Sequence, residues 1–167
     1  MTLVLGIDPG TATTGYGLVR DLPDDSLQVV DYGTFVTPAG RPAPERLSML
    51  YHHLQEMLLL HRPDSAAVEK LFFQSNVKTA IAVGQARGVV LLALAEAGLE
   101  IAEYTPNEVK QAVAGYGSAD KKQVQEMVRV LLAMPHVPKP DDAADALAIA
   151  ITHLHTWRYQ SATDEHG

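Results

Sequence analysis

The sequence has no cysteine among its 167 residues, which excludes a disulfide scaffold, a thiolate zinc site and a cysteine nucleophile. It is also poor in positive charge. Its 13 Lys and Arg face 20 Asp and Glu, a formal net charge of −7, so the strongly basic signature of many nucleic-acid binders is missing. Any DNA contact must therefore rest on a local patch. Long hydrophobic runs are absent too. The longest, Val89 to Ala95, falls well short of the roughly 18 residues that suggest a membrane span. The start, Met1 to Asp8, carries no basic n-region and soon meets an acid, unlike a secretory signal. These absences lead to the expectation of a cytoplasmic protein with no membrane partner.

What is present fits one domain. At roughly 100–200 residues per domain the length suits a single unit, and 47% hydrophobic residues supply a core that needs no staple. A domain is expected over residues 1–157, and the polar end, 158–167, is expected to be a disordered tail.

Patterning then gives an element order. Thr2 to Ile7 is a short apolar run stopped by Pro9-Gly10, a buried strand followed by a turn. Gly15–Arg20 and Leu27–Val36 read as two further strands around the turn Pro23-Asp24-Asp25. An antiparallel meander β1-β2-β3 is expected. Pro44–Leu60 carries Leu47, Leu50, Leu54, Met57 and Leu58 at helical spacing. Ser65–Glu69 is a strand closing on a carboxylate, and Asn76–Ala97 a long Ala-rich helix stopped by Gly98. Leu99–Tyr104 is a last strand. Thr105, Pro106 and Glu108 form a helix start, Ser118 opens another helix to about Ala133, and a final helix runs from Asp141 to about Thr156. The expected class is α/β, a mixed five-stranded sheet with helices on both faces.

Four acids stand where chemistry can use them. Asp8 and Glu69 each close an apolar strand, and parallel neighbours would present both at one carboxyl edge, where open α/β sheets place ligands. Asp142 and Asp145 lie three apart at the start of the last helix, about 5–6 Å between Cβ atoms. The small residues that follow, Ala146 to Ile151, allow close packing on the sheet. Clustered carboxylates repel, and a hard divalent ion such as Mg²⁺ or Mn²⁺ relieves that repulsion. Two such ions support in-line phosphodiester displacement. Taken singly, each acid has a structural alternative: Asp8 as a turn residue before Pro-Gly, Asp141 or Asp142 as an N-cap.

Several stretches taken together resemble the RuvC family of Holliday-junction resolvases. They are Gly6-Ile-Asp-Pro-Gly10, Thr14-Gly-Tyr-Gly17, Ala67-Val-Glu69 and Gly84-Gln-Ala-Arg-Gly88. Val109-Lys-Gln, Gly115–Ser118 and the block from Asp142 to His153 complete the set. The similarity spans about Thr2 to His155. The resemblance implies an RNase H-like fold and a homodimer that resolves four-way DNA junctions in recombination and repair by symmetric paired nicks. It implies Mg²⁺, two ions per subunit, with Mn²⁺ as an alternative, and RuvA and RuvB as branch-migration partners. The family's catalytic, metal-holding acids fall on Asp8, Glu69, Asp142 and Asp145; some relatives carry His where Asp142 stands. Asp141 is an extra acid, treated as a cap or an outer neighbour.

The stretch from Lys70 to Val130 holds seven basic and six acidic residues, so the middle is near neutral while the flanks carry the negative charge. Lys110, Lys121 and Lys122 lie near Gly115-Tyr-Gly117, and similar lysines in the family contact the DNA backbone; a solvated helix face is the alternative. Phe72 and Phe73 follow Glu69 closely. By motif position Phe72 resembles the family's base-stacking residue, whereas Phe73 is expected to pack under the next helix. The helix from Asn76 to Ala97 is apolar on more than one face; the sheet accounts for one side, and either burial within the subunit or a twofold partner for the other, the resemblance favouring the partner. The seven His residues show no metal-ligand spacing. Two other functions compete: a catalytically inactive junction-binding protein, disfavoured by the presence of all four acids, and an actin-like or sugar-kinase phosphate-binding domain. The latter rests on Gly6–Gly15 as a phosphate loop, but no second acidic Gly-rich loop follows Lys70.

Overall fold

The computed structural model describes residues 1–10, 12–70 and 76–165. The chain forms β1 (Leu3–Asp8), β2 (Thr13–Asp21), β3 (Leu27–Val36), α1 (Ala43–His61) and β4 (Ser65–Glu69). It continues with α2 (Val77–Glu96), β5 (Glu100–Tyr104), α3 (Pro106–Ala114), α4 (Lys121–Leu131) and α5 (Asp141–Asp164). The strands make one sheet in the order β3-β2-β1-β4-β5. β1, β2 and β3 pair antiparallel, while β4 lies parallel to both β1 and β5. This mixed five-stranded sheet has the expected RNase H-like arrangement.

Strand alternation sorts the core into two layers. Leu3, Leu5 and Ile7 of β1, with Ala66 and Val68 of β4, face Leu50, Leu54, Ala86, Val90 and Leu94 of α1 and α2. Val4 and Ala67, offset by one residue, face Val109, Val128, Leu147 and Ile151 of α3, α4 and α5. Leu147, Ile149, Ile151 and Leu154 are almost fully buried, each contributing about 1.5–3 kcal/mol over an exposed side chain. Helix α5 is thus the central element of its layer.

Helix ends follow their local chemistry. The Asn76 side chain accepts from Lys78 N and Thr79 N to start α2, and Gly98 beyond its end takes φ +74. Thr105 and Glu108 form a reciprocal capping box with Pro106 in the first turn of α3, as the sequence pattern predicts. Two helix boundaries differ from expectation by more than two residues. The helix α4 begins not at Ser118 but after Asp120, whose carboxylate accepts from Gln123 N at 2.8 Å while Gln123 returns a bond to Asp120 N at 2.8 Å. A carboxylate cap with a reciprocal amide outcompetes a lone serine. The helix α5 does not stop near Thr156 but continues to Asp164, into the segment read as a tail. There Arg158 donates to the Asp25 carbonyl at 2.9 Å, and Thr163 donates back to the Tyr159 carbonyl at 2.6 Å.

Candidate active site and metal centre

The same alternation that buries the strands aims two acids. With Ile7 and Val68 in register and turned toward α1 and α2, Asp8 and Glu69 turn to the opposite face, the one α5 covers. Both lie at the carboxyl ends of adjacent parallel strands. There the chain order reverses, since β1 leads outward to β2 on one side and β4 lies on the other. Such a switch point leaves a crevice for a ligand.

Helix α5 brings the second pair of acids to this crevice because the strands beneath it lack side chains. A Cβ on Gly6 would stand 2.1 Å from the Ala146 carbonyl oxygen, and one on Gly15 would stand 2.0 Å from that of Asp142. Gly15 is the β2 residue paired with Asp8. Contact between strand backbone and helix backbone therefore sets Asp142 beside Asp8. Ligand atoms of Asp8, Asp142 and Asp145 all lie within 4.8 Å of one another. They form the one group of three acids or histidines placed closely enough to hold a metal ion among the described residues. Glu69 stands outside that tight trio but hydrogen-bonds with Asp8.

The electrostatics of the cluster follow from crowding. The Asp8 carboxyl is pushed up to about 8, first by burial, then by the charges of Glu69, Asp145 and Asp142. Glu69 is raised by burial and by Asp145, with its hydrogen bond to Asp8 opposing. Asp145 is raised by burial and its acidic neighbours, against the lowering effect of Lys121. Without a cation, Asp8 holds a proton at neutral pH and shares it with its neighbours. Half-buried, mutually repelling carboxylates offering only oxygen donors fit a hard divalent cation.

Across the crevice, Lys110 and Lys121 join Glu69 and Asp145 in lining a cleft of about 260 Å³, floored by Val109, Ala148 and Ile149. Larger hollows of about 520 and 640 Å³ lie elsewhere, between α1 and α2 and beside the end of α5. Neither brings acids and lysines together as this cleft does. Lys122 is exposed on α4 and does not line the cleft. Phe72 and Phe73 lie outside the described residues.

Asp141 does not cap α5. That position belongs to Pro140, with no side-chain cap. Instead Asp141 Oδ2 lies 3.1 Å from Lys121 Nζ, and Gln125 donates to Asp141 Oδ1 at 3.1 Å. Sequence reasoning missed this clamp, because residues 20 apart on different helices carry no spacing signal. It also missed the docking role of the glycines, although Gly15 and Gly17 two apart, with Gly6 in β1, mark one side-chain-free sheet face. Behind the site, His153 bridges β4, β5 and α5. Its Nε2 lies 2.8 Å from Ser65 Oγ and its Nδ1 2.8 Å from Tyr104 Oη, a structural role.

An all-oxygen acid cluster at the carboxyl edge of an RNase H-like sheet, with lysines across the cleft, defines the class: a phosphodiester-cleaving nuclease of the metal-dependent kind. The family model for crossover junction endodeoxyribonuclease RuvC matches residues 4–153, and the chain belongs to that family. A crossover junction endodeoxyribonuclease RuvC of Chloroflexus aurantiacus is 60% identical over 152 residues, covering 91% of this chain and 92% of the relative. One of Syntrophomonas wolfei is 56% identical over 158 residues, covering 95% and 91%. Among solved structures, T. thermophilus RuvC in complex with Holliday junction substrate aligns with a TM-score of 0.86 and 37% identity, covering 94% of this chain and 96% of that one. Family membership displaces the phosphate-loop alternative.

Proposed function

We propose that the protein is a structure-selective endonuclease that resolves four-way DNA junctions in recombination and repair, using one nuclease domain whose last helix, α5, runs past the expected bound of residue 157. The observation that carries this reading is the convergence of Asp8, Glu69, Asp142 and Asp145 at the β1/β4 switch point, beside a cleft lined by Lys110 and Lys121. By the resemblance of its motifs, the family's catalytic acids fall on these positions. Asp8, Asp142 and Asp145 hold divalent cations directly, and Glu69 completes the set. The expected ions are Mg²⁺, two per subunit, with Mn²⁺ acceptable to the same oxygen donors. When bound, such ions activate water and stabilise the leaving oxygen of an in-line displacement.

The chain's own residues bind and orient the substrate. Lys110 and Lys121 face the acids and place positive charge where a scissile phosphate would lie; Lys122 reaches the backbone from the outer side of α4. Phe72 stacks on a base at the junction point. The site works in the cytoplasm as part of a homodimer, with RuvA and RuvB as branch-migration partners. Support for the dimer lies in α2, which buries Ala86, Val90, Ala93 and Leu94 within the chain but leaves Val77, Ile81 and Leu92 exposed. By length and composition α2 also passes as a membrane span. Its inner face in the core and Arg87 paired with Glu103 favour an interface between subunits.

The test is metal-dependent cutting of a synthetic four-way junction against linear duplex, with the nicks mapped. Paired, symmetric nicks in the junction alone are expected, and Asp8→Asn or Glu69→Gln should bind the junction yet leave it uncut. Binding without cutting by the unaltered protein would identify a junction-binding protein instead.

A further inference from the structure

Lys121 stands at the first position of α4, and its ammonium has two acidic neighbours: Asp141 Oδ2 at 3.1 Å and Asp145 Oδ2 at 4.0 Å. The nearer one is outside the metal-ligating trio. Asp141 is itself fixed from a second point, because Gln125, one turn along α4 from Lys121, donates to its other oxygen at 3.1 Å. Residues 121 and 125 share one face of α4, so the two contacts grip a single carboxylate from one side. A long lysine side chain with 56% of its surface exposed would otherwise sample many rotamers, and fixing it costs conformational entropy.

We infer that Asp141 is a positioning residue: it holds the Lys121 ammonium at the rim of the acid cluster, on the cleft side, where a substrate phosphate enters. The inference deepens the nuclease reading and rests on it. The arrangement has a directional logic. Asp141 is 64% exposed and is not one of the trio, so it can anchor the lysine without giving up a place in the acid cluster. Asp145 lies farther from the ammonium, so the lysine can lean toward an incoming phosphate while keeping its anchor. Prepositioning of this kind acts on the rate of the bound complex more than on affinity.

The test is a double-mutant cycle on junction cleavage, with Asp141→Asn, Lys121→Ala and both together. Asp141→Asn should lower kcat about fivefold, the scale of an exposed charge pair, with KM within about twofold of the unaltered enzyme. In the Lys121→Ala background the same change should alter kcat less than about twofold. Equal losses in both backgrounds, or no loss in either, overturn the proposal. A second readout avoids catalysis. The Lys121 ammonium should give a slowly exchanging nitrogen-correlated NMR signal, identified by its disappearance in Lys121→Arg, and Asp141→Asn should abolish it. A signal unchanged in Asp141→Asn overturns the anchoring. A native protein that cuts no junction would instead overturn the nuclease reading, leaving the NMR arm to judge the contact.

Discussion

Gly15 and Asp142 meet backbone to backbone: the Asp142 carbonyl oxygen stands 2.0 Å from the point a Cβ on residue 15 would occupy. Since Gly15 pairs with Asp8 across the β1–β2 ladder, this contact fixes the separation between a strand-borne acid and a helix-borne one. The obstruction is backbone, so no side-chain rotation relieves it.

Gly15→Ala should therefore lift the first turn of α5 from the sheet. Overpacking of this sort costs about 1–3 kcal/mol, a fall in Tm of roughly 2–12 °C for a chain of this size. The loss of metal-dependent cleavage should be larger than that destabilisation explains at a temperature where the variant is fully folded. Thermal melts and cleavage rates on the same preparation decide it. A variant that melts lower but cuts at the native rate would show that the contact supports stability alone.

The acid cluster makes a second outcome calculable in sign. Asp8 rises from 3.8 to about 8 in the folded, metal-free protein, so the native state binds more protons than the unfolded chain between those values. Its contribution to stability is complete below pH 3.8 and is lost as pH rises toward 8. Denaturant titrations in a chelating buffer should show metal-free stability falling between pH 6 and 8 relative to Asp8→Asn. Saturating Mg²⁺ should flatten the difference by displacing the proton. Calorimetry in buffers of different ionisation enthalpy should record proton release on metal uptake near neutral pH. Parallel stability curves for the two proteins, or metal uptake without protons, would contradict the coupling.

The sheet was legible in the sequence because β1 and β4 are short apolar runs closing on acids and turn residues separate the strands; β3 and β4 match their expected ranges, Leu27–Val36 and Ser65–Glu69. The α3 start was legible because a capping box is a local code written in Thr105, Pro106 and Glu108. Position along the chain, together with a family resemblance, singled out all four acids. What remained hidden was everything set by contact between distant elements. The Asp141–Lys121 pair and the docking of α5 on Gly6 and Gly15 depend on which elements lie side by side. The α4 start is different, being local: Ser118 and the Asp120–Gln123 box both offer a cap, and the reciprocal pair wins. The end of α5 escaped for a related reason. Its polar residues past Trp157 read as a tail, yet hydroxyls bonded to the preceding turn and the reach of Arg158 to Asp25 accompany a helix there.

His153 offers a contrast of opposite sign. Burial pulls its imidazole below the usual value of 6.5, and the ring is occupied at both nitrogens by Ser65 and Tyr104. A neutral ring satisfies one partner as donor and the other as acceptor, whereas the protonated ring has no acceptor left. Because the folded value is depressed, its stabilisation is present above pH 6.5 and is lost as pH falls through the folded value. Relative to His153→Gln, the native protein should lose stability between pH 7 and 5. Equal losses in both would place the acid sensitivity in another group.

The exposed face of α2 yields the last prediction. Val77 and Ile81 lie one turn apart and are 69% and 58% exposed, while the inner face, Ala86, Val90, Ala93 and Leu94, is packed on the sheet. An apolar helical face left in water is costly unless a second surface covers it, and a twofold partner would present the same face. Ile81→Asp places a charge on that face without touching the core beneath it. Sedimentation should find the native protein dimeric and Ile81→Asp shifted toward monomer, with its metal-free thermal transition becoming independent of protein concentration. On the proposed mechanism, in which each subunit cuts one strand of a junction, the monomer should lose paired nicking and retain at most isolated nicks. A variant that remains dimeric and nicks in pairs would remove this face from the interface.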